Sequence, residues 1–112
     1  MTKPVDPPAI ACSLSPGDYA QRLREFSKLF ATSLRNARRE PTRLHLVLDA
    51  ATASEDQVRD LLRREQECCP FFSFNVEAAE RAVRVEAGVP DGAGECLDDL
   101  ERMATHALAA RT

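Results

Sequence analysis

The chain has 112 residues, is 44% hydrophobic and carries a formal net charge of -3, which suits one domain with one core rather than two small domains. No apolar run approaches the ~20 residues of a membrane span, and the acidic balance argues against a nucleic-acid surface. We therefore predict neither a membrane nor a nucleic-acid partner.

Residues 1–14 are predicted to form an extended N-terminal arm, because prolines interrupt them and only Ile10, Cys12 and Leu14 alternate. The prolines also exclude the apolar core of a secretory signal, so we expect a cytoplasmic protein. In that compartment the four cysteines are expected to be thiols, metal-bound or redox-active rather than structural disulfides.

Residues 15–112 are predicted to form a single α+β domain. It opens with a helix whose N-cap is Ser15 and whose first residue is Pro16. The apolar stripe of this helix continues through Leu34 and Ala37 to about Arg39. A basic cluster follows, which we interpret as favourable charge at a helix C-terminus; its members are Arg35, Arg38, Arg39 and Arg43.

Three strands are predicted from apolar residues that alternate with polar ones. The residues expected to face the helices are Leu44, Leu46, Leu48, Phe72, Phe74, Val83 and Val85. A last helix buries a face that begins at Leu97. The order predicts a three-stranded, mainly antiparallel sheet with three helices, a truncated ferredoxin-like sandwich whose third strand lies between the other two.

The segment that joins the central helix to the second strand carries the most informative pattern. Ser54 and Gln57 form a capping box that starts the helix. One face then carries Val58, Leu61, Leu62, Glu65, Cys68 and Cys69. Pro70 cannot extend the helix, so both thiols are expected at its last turn and C-cap. Adjacent cysteines lie too close for an unstrained disulfide, so we predict none between them.

The position of this pair favours soft-metal binding over thiol catalysis. A helix C-terminus, nearby carboxylates and apolar surroundings all oppose a thiolate, whereas a bound soft cation deprotonates the thiol. Two ligands suit a thiophilic ion of low coordination number better than tetrahedral zinc. We predict a site for mercury or zinc made by Cys12, Cys68 and Cys69, with Glu65 as a further ligand or proton acceptor.

The alternative is a structural or protein-interaction domain in which the cysteines only pack the core. For Cys96, near the start of the last helix, core packing is the favoured interpretation. His45 lies on the strand face opposite the leucines and is interpreted as a partly exposed residue rather than a ligand. The edge strands of a small sheet would allow a homodimer, and the cysteine pattern favours binding over enzymatic activity without deciding between them.

The motif Ala11-Cys12-Ser13-Leu14, followed by Glu67-Cys68-Cys69-Pro70-Phe71-Phe72, resembles that of a group of small bacterial proteins. Similar cysteine modules occur beside, or fused to, heavy-metal-responsive regulators in mercury resistance. The resemblance extends from residue 11 over most of the chain. It implies a metal-linked role for Cys12, Cys68 and Cys69, and it implies nothing for Cys96 or His45.

Overall fold

The computed structural model describes residues 16–110, with side chains from residue 20 onward, so the predicted arm and Ser15 lie outside the described residues. The chain forms α1 (Pro16–Ser33), β1 (Leu34–Glu40), β2 (Arg43–Asp49), α2 (Glu55–Cys68), β3 (Ser73–Ala79), β4 (Ala82–Gly88) and α3 (Asp98–Ala110), with a 3-10 turn at Gly94–Leu97. The predicted α+β class is confirmed. Among the described helices, none is long and apolar enough to cross a membrane.

The sheet has four strands in the order β1-β2-β4-β3, and all neighbours are antiparallel. β2 and β3 therefore run in the same direction, joined through α2, with β4 between them. This part of the predicted topology is confirmed. The predicted number of three strands is wrong, because β1 adds a fourth at the edge beside β2.

β1 replaces what the sequence predicted as the end of the first helix. That helix ends at Ser33 rather than near Arg39, and Leu34 and Ala37 lie on β1. Their spacing also fits a helix, but pairing with β2 through the short turn at Pro41 gives strand partners to the backbone groups on the β2 side of this segment. The tertiary pairing overrides the local helical pattern.

The basic cluster does not lie at a helix end, so that interpretation is wrong. Arg35, Arg38 and Arg39 are on β1, and Arg43 is on β2. Arg39 donates to Asp98 Oδ1 at 2.9 Å, to Glu101 Oε1 at 2.8 Å and to the backbone oxygen of Gly94 at 2.9 Å. One guanidinium thus fastens β1 to the start of α3.

The core lies between the sheet and the three helices. All the residues predicted to face the helices are buried except Phe74, which is half-buried: Leu44, Leu46, Leu48, Phe72, Val83 and Val85. The strand alternation therefore assigned the inner face of the sheet correctly. Ser54 caps α2 by accepting a hydrogen bond from the Gln57 N–H at 3.1 Å, as the capping box predicted.

α1 and α2 form an antiparallel pair that is tied at both ends. Near the end of α1, the hydroxyl of Ser33 lies 2.8 Å from that of Thr52, just before α2 begins. Towards the start of α1, Arg22 Nη1 lies 2.8 Å from Glu65 Oε1, near the end of α2. The start of α1 and the end of α2 are therefore at the same end of the molecule.

Candidate functional site

The cysteine corner, residues 68–70, is the turn that carries the chain from α2 to β3. Cys68 is the last residue of α2, and the N–H of Cys69 donates to the carbonyl of Glu65 at 2.8 Å. Cys69 has φ -127° and ψ 82°, the extended geometry that Pro70 imposes on the residue before it. Cys68 is half-buried and Cys69 is 4% exposed, so the predicted placement of both at the helix end is confirmed.

The first turn of α1 lies at the same end of the molecule as the cysteine corner. α1 begins at Pro16, about 9 Å along the helix axis from the level of Arg22, and Cys69 lies about 6 Å beyond Glu65 along α2. Because Arg22 and Glu65 are in contact and the helices are antiparallel, these two extensions run the same way.

Glu65, the one acidic member of the apolar face of α2, is buried, with its residue 9% exposed. Its carboxylate accepts a hydrogen bond from Arg22 at 2.8 Å, and the two side chains are 12% and 11% exposed. A buried carboxylate requires such a partner. The position of Glu65 on an apolar helix face therefore indicates that a positively charged side chain packs against it. Nothing in the sequence identifies Arg22 as that side chain.

A second ion pair links the same two helices, with the arginine now on α2 and the glutamate on α1. Arg64 on α2 donates to both carboxylate oxygens of Glu25 on α1, at 2.8 and 3.2 Å. This hydrogen bonding, helped by the charges of Arg64 and Arg22, lowers the pKa of Glu25 despite some burial and the nearby charge of Asp60. Each helix thus contributes one cation and one anion, which fixes the pair in register next to the cysteine corner.

Three phenylalanine rings stack at the start of β3, directly after the corner. The rings of Phe71 and Phe72 lie 5.0 Å apart between centroids, and those of Phe72 and Phe74 lie 5.3 Å apart. Phe72 is buried, and its carbonyl accepts from the Gln66 side chain at 3.2 Å. These contacts hold the chain in place immediately beyond the two cysteines.

Cys68, Cys69 and Cys96 are thiols. Within the described part of the chain, no group of three histidine, cysteine or acidic residues is placed to hold a metal ion. The prediction that Cys12 meets the Cys68–Cys69 pair falls on a residue outside the described range. The described residues of the corner therefore provide two adjacent thiols, the half-buried Cys68 and the buried Cys69. The nearby carboxylate of Glu65 is ion-paired with Arg22.

Cys96 lies in the 3-10 turn before α3, away from the corner. Burial raises the pKa of its thiol, and the charges of Glu95, Asp98 and Asp99 raise it further. A raised pKa lowers the thiolate fraction near neutral pH, which makes this thiol a poor nucleophile and a poor metal ligand. Cys96 is partly buried against the hydrophobic core, which agrees with the core-packing interpretation.

His45 lies on the sheet face opposite the helices, as the strand alternation predicted. Its side chain is 28% exposed, and Nε2 lies 3.2 Å from Glu40 Oε2, an ion-pair distance when the ring is protonated. Nε2 makes no hydrogen bond within residues 20–110. The ring borders a polar groove of about 370 Å³ whose lining contains no residue of the cysteine corner, so the structure does not bring these two candidates together.

Comparison of the chain with protein-family models, with curated proteins and with solved structures finds no match.

Proposed function

We propose that this protein is a cytoplasmic soft-metal-binding protein whose ligands are the thiolates of Cys12, Cys68 and Cys69. The observation that carries the proposal is the antiparallel pairing of α1 with α2, by which the start of α1 and the cysteine corner lie at the same end of the molecule. Cys12 precedes Pro16 by four residues, and four residues reach at most about 14 Å. We therefore propose that the N-terminal segment delivers Cys12 to the corner.

The donor set favours mercury over zinc. Mercuric ion is satisfied by two or three thiolates, whereas structural zinc takes four ligands in a tetrahedron. Pairing with Arg22 compensates the negative charge of Glu65, the acidic residue one turn before the two thiols. Glu65 would have to leave Arg22 in order to ligate, so we assign ligation to the thiolates and keep Glu65 as a nearby proton acceptor.

The resemblance to cysteine modules of mercury-resistance settings agrees with this proposal and is itself a hypothesis. The likeness to a ferredoxin-like sandwich is also a hypothesis. It is based on the β2-α2-β3 unit, in which β4 lies between the two strands. A protein with this donor set would sequester the ion or hand it to another thiol, because ligand exchange between thiolates is the chemistry that such a site provides.

The experiment is a titration of the reduced protein with mercuric and zinc ions, followed by native mass spectrometry in excess glutathione as a competing monothiol. We expect one mercuric ion per chain to survive the competition. Cys12→Ser and Cys68→Ser should each weaken mercuric binding by orders of magnitude, since each removes a ligand. Cys96→Ser is the matched control, and it should bind as the wild type does. Equal affinity in all four proteins would contradict the proposal.

The second candidate is a structural or interaction domain whose cysteines are core residues. It is favoured by the burial of Cys69, which belongs to the hydrophobic core together with Leu61 and Phe72. On that hypothesis, Cys69→Ser lowers stability, Cys12→Ser changes nothing, and no variant alters mercuric binding in the same titration. The two candidates therefore differ most clearly in the behaviour of Cys12→Ser.

A further inference from the structure

The outer edge of β3 carries backbone groups that point away from the sheet. β3 is the last strand in the order β1-β2-β4-β3, so within residues 16–110 it has a strand neighbour only on the β4 side. Arg59 donates to the carbonyl of Val76 at 2.8 Å, and Gln66 donates to the carbonyl of Phe72 at 3.2 Å. Even-numbered residues of this segment therefore direct their N–H and C=O groups outward, because orientation alternates along a strand.

β3 has few of the usual features that prevent an edge strand from pairing with another chain, and its one charged residue is Glu77. Its sequence contains no proline, lysine or arginine, and its pairing with β4 has no register shift. β1, the other edge, has a shift between Leu34 and Asn36 and carries three arginines. Because bulges and positive charge are common protections for an edge, β1 is protected by its own sequence and β3 is not.

The protection of β3 comes instead from two side chains of α2, namely Arg59 and Gln66. Each occupies one outward carbonyl that a neighbouring strand would need. Arg59 also forms an ion pair with Glu55 at 2.6 Å, so it keeps a partner when it leaves Val76. Opening this edge therefore requires only the exchange of two side-chain hydrogen bonds for backbone ones.

The groove beside this edge suits a second copy of the same strand. It has a volume of about 430 Å³ between α2 and β3, and its apolar lining comes from Leu62, Phe74 and Val76. The charged residues that line it are balanced in sign: Asp56, Asp60, Arg59 and Arg63. Two copies related by a two-fold axis would pair antiparallel, bury the half-exposed Phe74 of each and meet no net repulsion.

We propose that the outer edge of β3 is a self-association surface that Arg59 and Gln66 hold closed, and that their release allows antiparallel pairing with β3 of a second copy. The resulting dimer has a continuous eight-stranded sheet. This inference is independent of the metal-binding proposal, because it uses the opposite side of α2 from the one that contacts α1.

The test is sedimentation equilibrium of the full chain over a range of concentrations. Arg59→Ala combined with Gln66→Ala should lower the dimer dissociation constant about tenfold or more, since one of the two competing hydrogen bonds comes from a charged donor. Arg24→Ala is the control, because Arg24 is an exposed arginine on α1 that donates to the Gln21 side chain and does not line the groove. It should associate no more than the wild type does.

Val76→Pro, added to the double variant, removes an outward N–H without removing a bond to β4, and it should abolish association. A double variant that associates no more tightly than the Arg24→Ala control would overturn the proposal, as would a dimer that survives Val76→Pro. If the proline variant unfolds, hydrogen exchange of the double variant is measured instead. The backbone N–H groups of Phe74 and Val76 should then exchange more slowly when the double variant associates. Unchanged exchange of these two groups would overturn the proposal.

Discussion

Removal of Arg22 tests whether the α1–α2 contact holds the cysteine corner together. Arg22→Met leaves the Glu65 carboxylate buried without its cation. Breaking a fully buried ion pair by removing one partner costs about 3–5 kcal/mol, but here the two side chains keep 11% and 12% exposure. Some solvation of the stranded carboxylate should remain, so we expect a loss of about 2–3 kcal/mol.

The assay is urea unfolding followed by circular dichroism at neutral pH. In a domain of this size a loss of about 2–3 kcal/mol corresponds to a fall in melting temperature of roughly 10–20 °C. Arg24→Met is the matched control on the same helix, because Arg24 is exposed and, within residues 20–110, its side chain bonds only to that of Gln21. It should change the free energy of unfolding by less than about 0.5 kcal/mol.

The double variant Arg22→Met with Glu65→Leu separates burial of a charge from loss of packing. Replacing both partners of a buried pair by apolar residues is often neutral, so the double variant should recover most of the stability that Arg22→Met loses. If Arg22→Met were as stable as Arg24→Met, the carboxylate of Glu65 would be solvated and the account of the helix contact would be wrong.

Two further predictions concern acid stability and the start of α3. Because Arg64 lowers the pKa of Glu25 below its ordinary value of 4.5, the stabilisation is complete above that value and is lost as the pH falls through the lowered pKa; Glu25→Gln should flatten this part of a stability–pH profile measured by urea unfolding. A Cβ on Gly94 would lie 2.7 Å from the backbone oxygen of Pro41, so Gly94→Ala should destabilise by about 1–3 kcal/mol, and an unchanged urea midpoint would show that this turn shifts freely.

The sequence determines the parts of the fold that local patterns control. Alternation in β2, β3 and β4 predicts which face meets the helices, and the Ser54 capping box predicts the start of α2. β1 could not be predicted in the same way, since Leu34 and Ala37 fit a helical stripe and the intervening arginines are good helix formers. The short turn at Pro41 between two segments of equal length is the signal that could have indicated a hairpin.

The electrostatic environment of the cysteine corner is the other property that the sequence does not show. Considered along the chain, Cys68 and Cys69 have the negative end of α2 and two acidic neighbours around them, which opposes a thiolate, and Arg63 and Arg64 offset this only in part. The fold pairs one of those acidic neighbours, Glu65, with Arg22. This pairing depends on the contact between two helices that are distant in sequence. Arg22 lies 43 residues from Glu65 along the chain, so no local pattern in the sequence shows that the charge of this carboxylate is compensated.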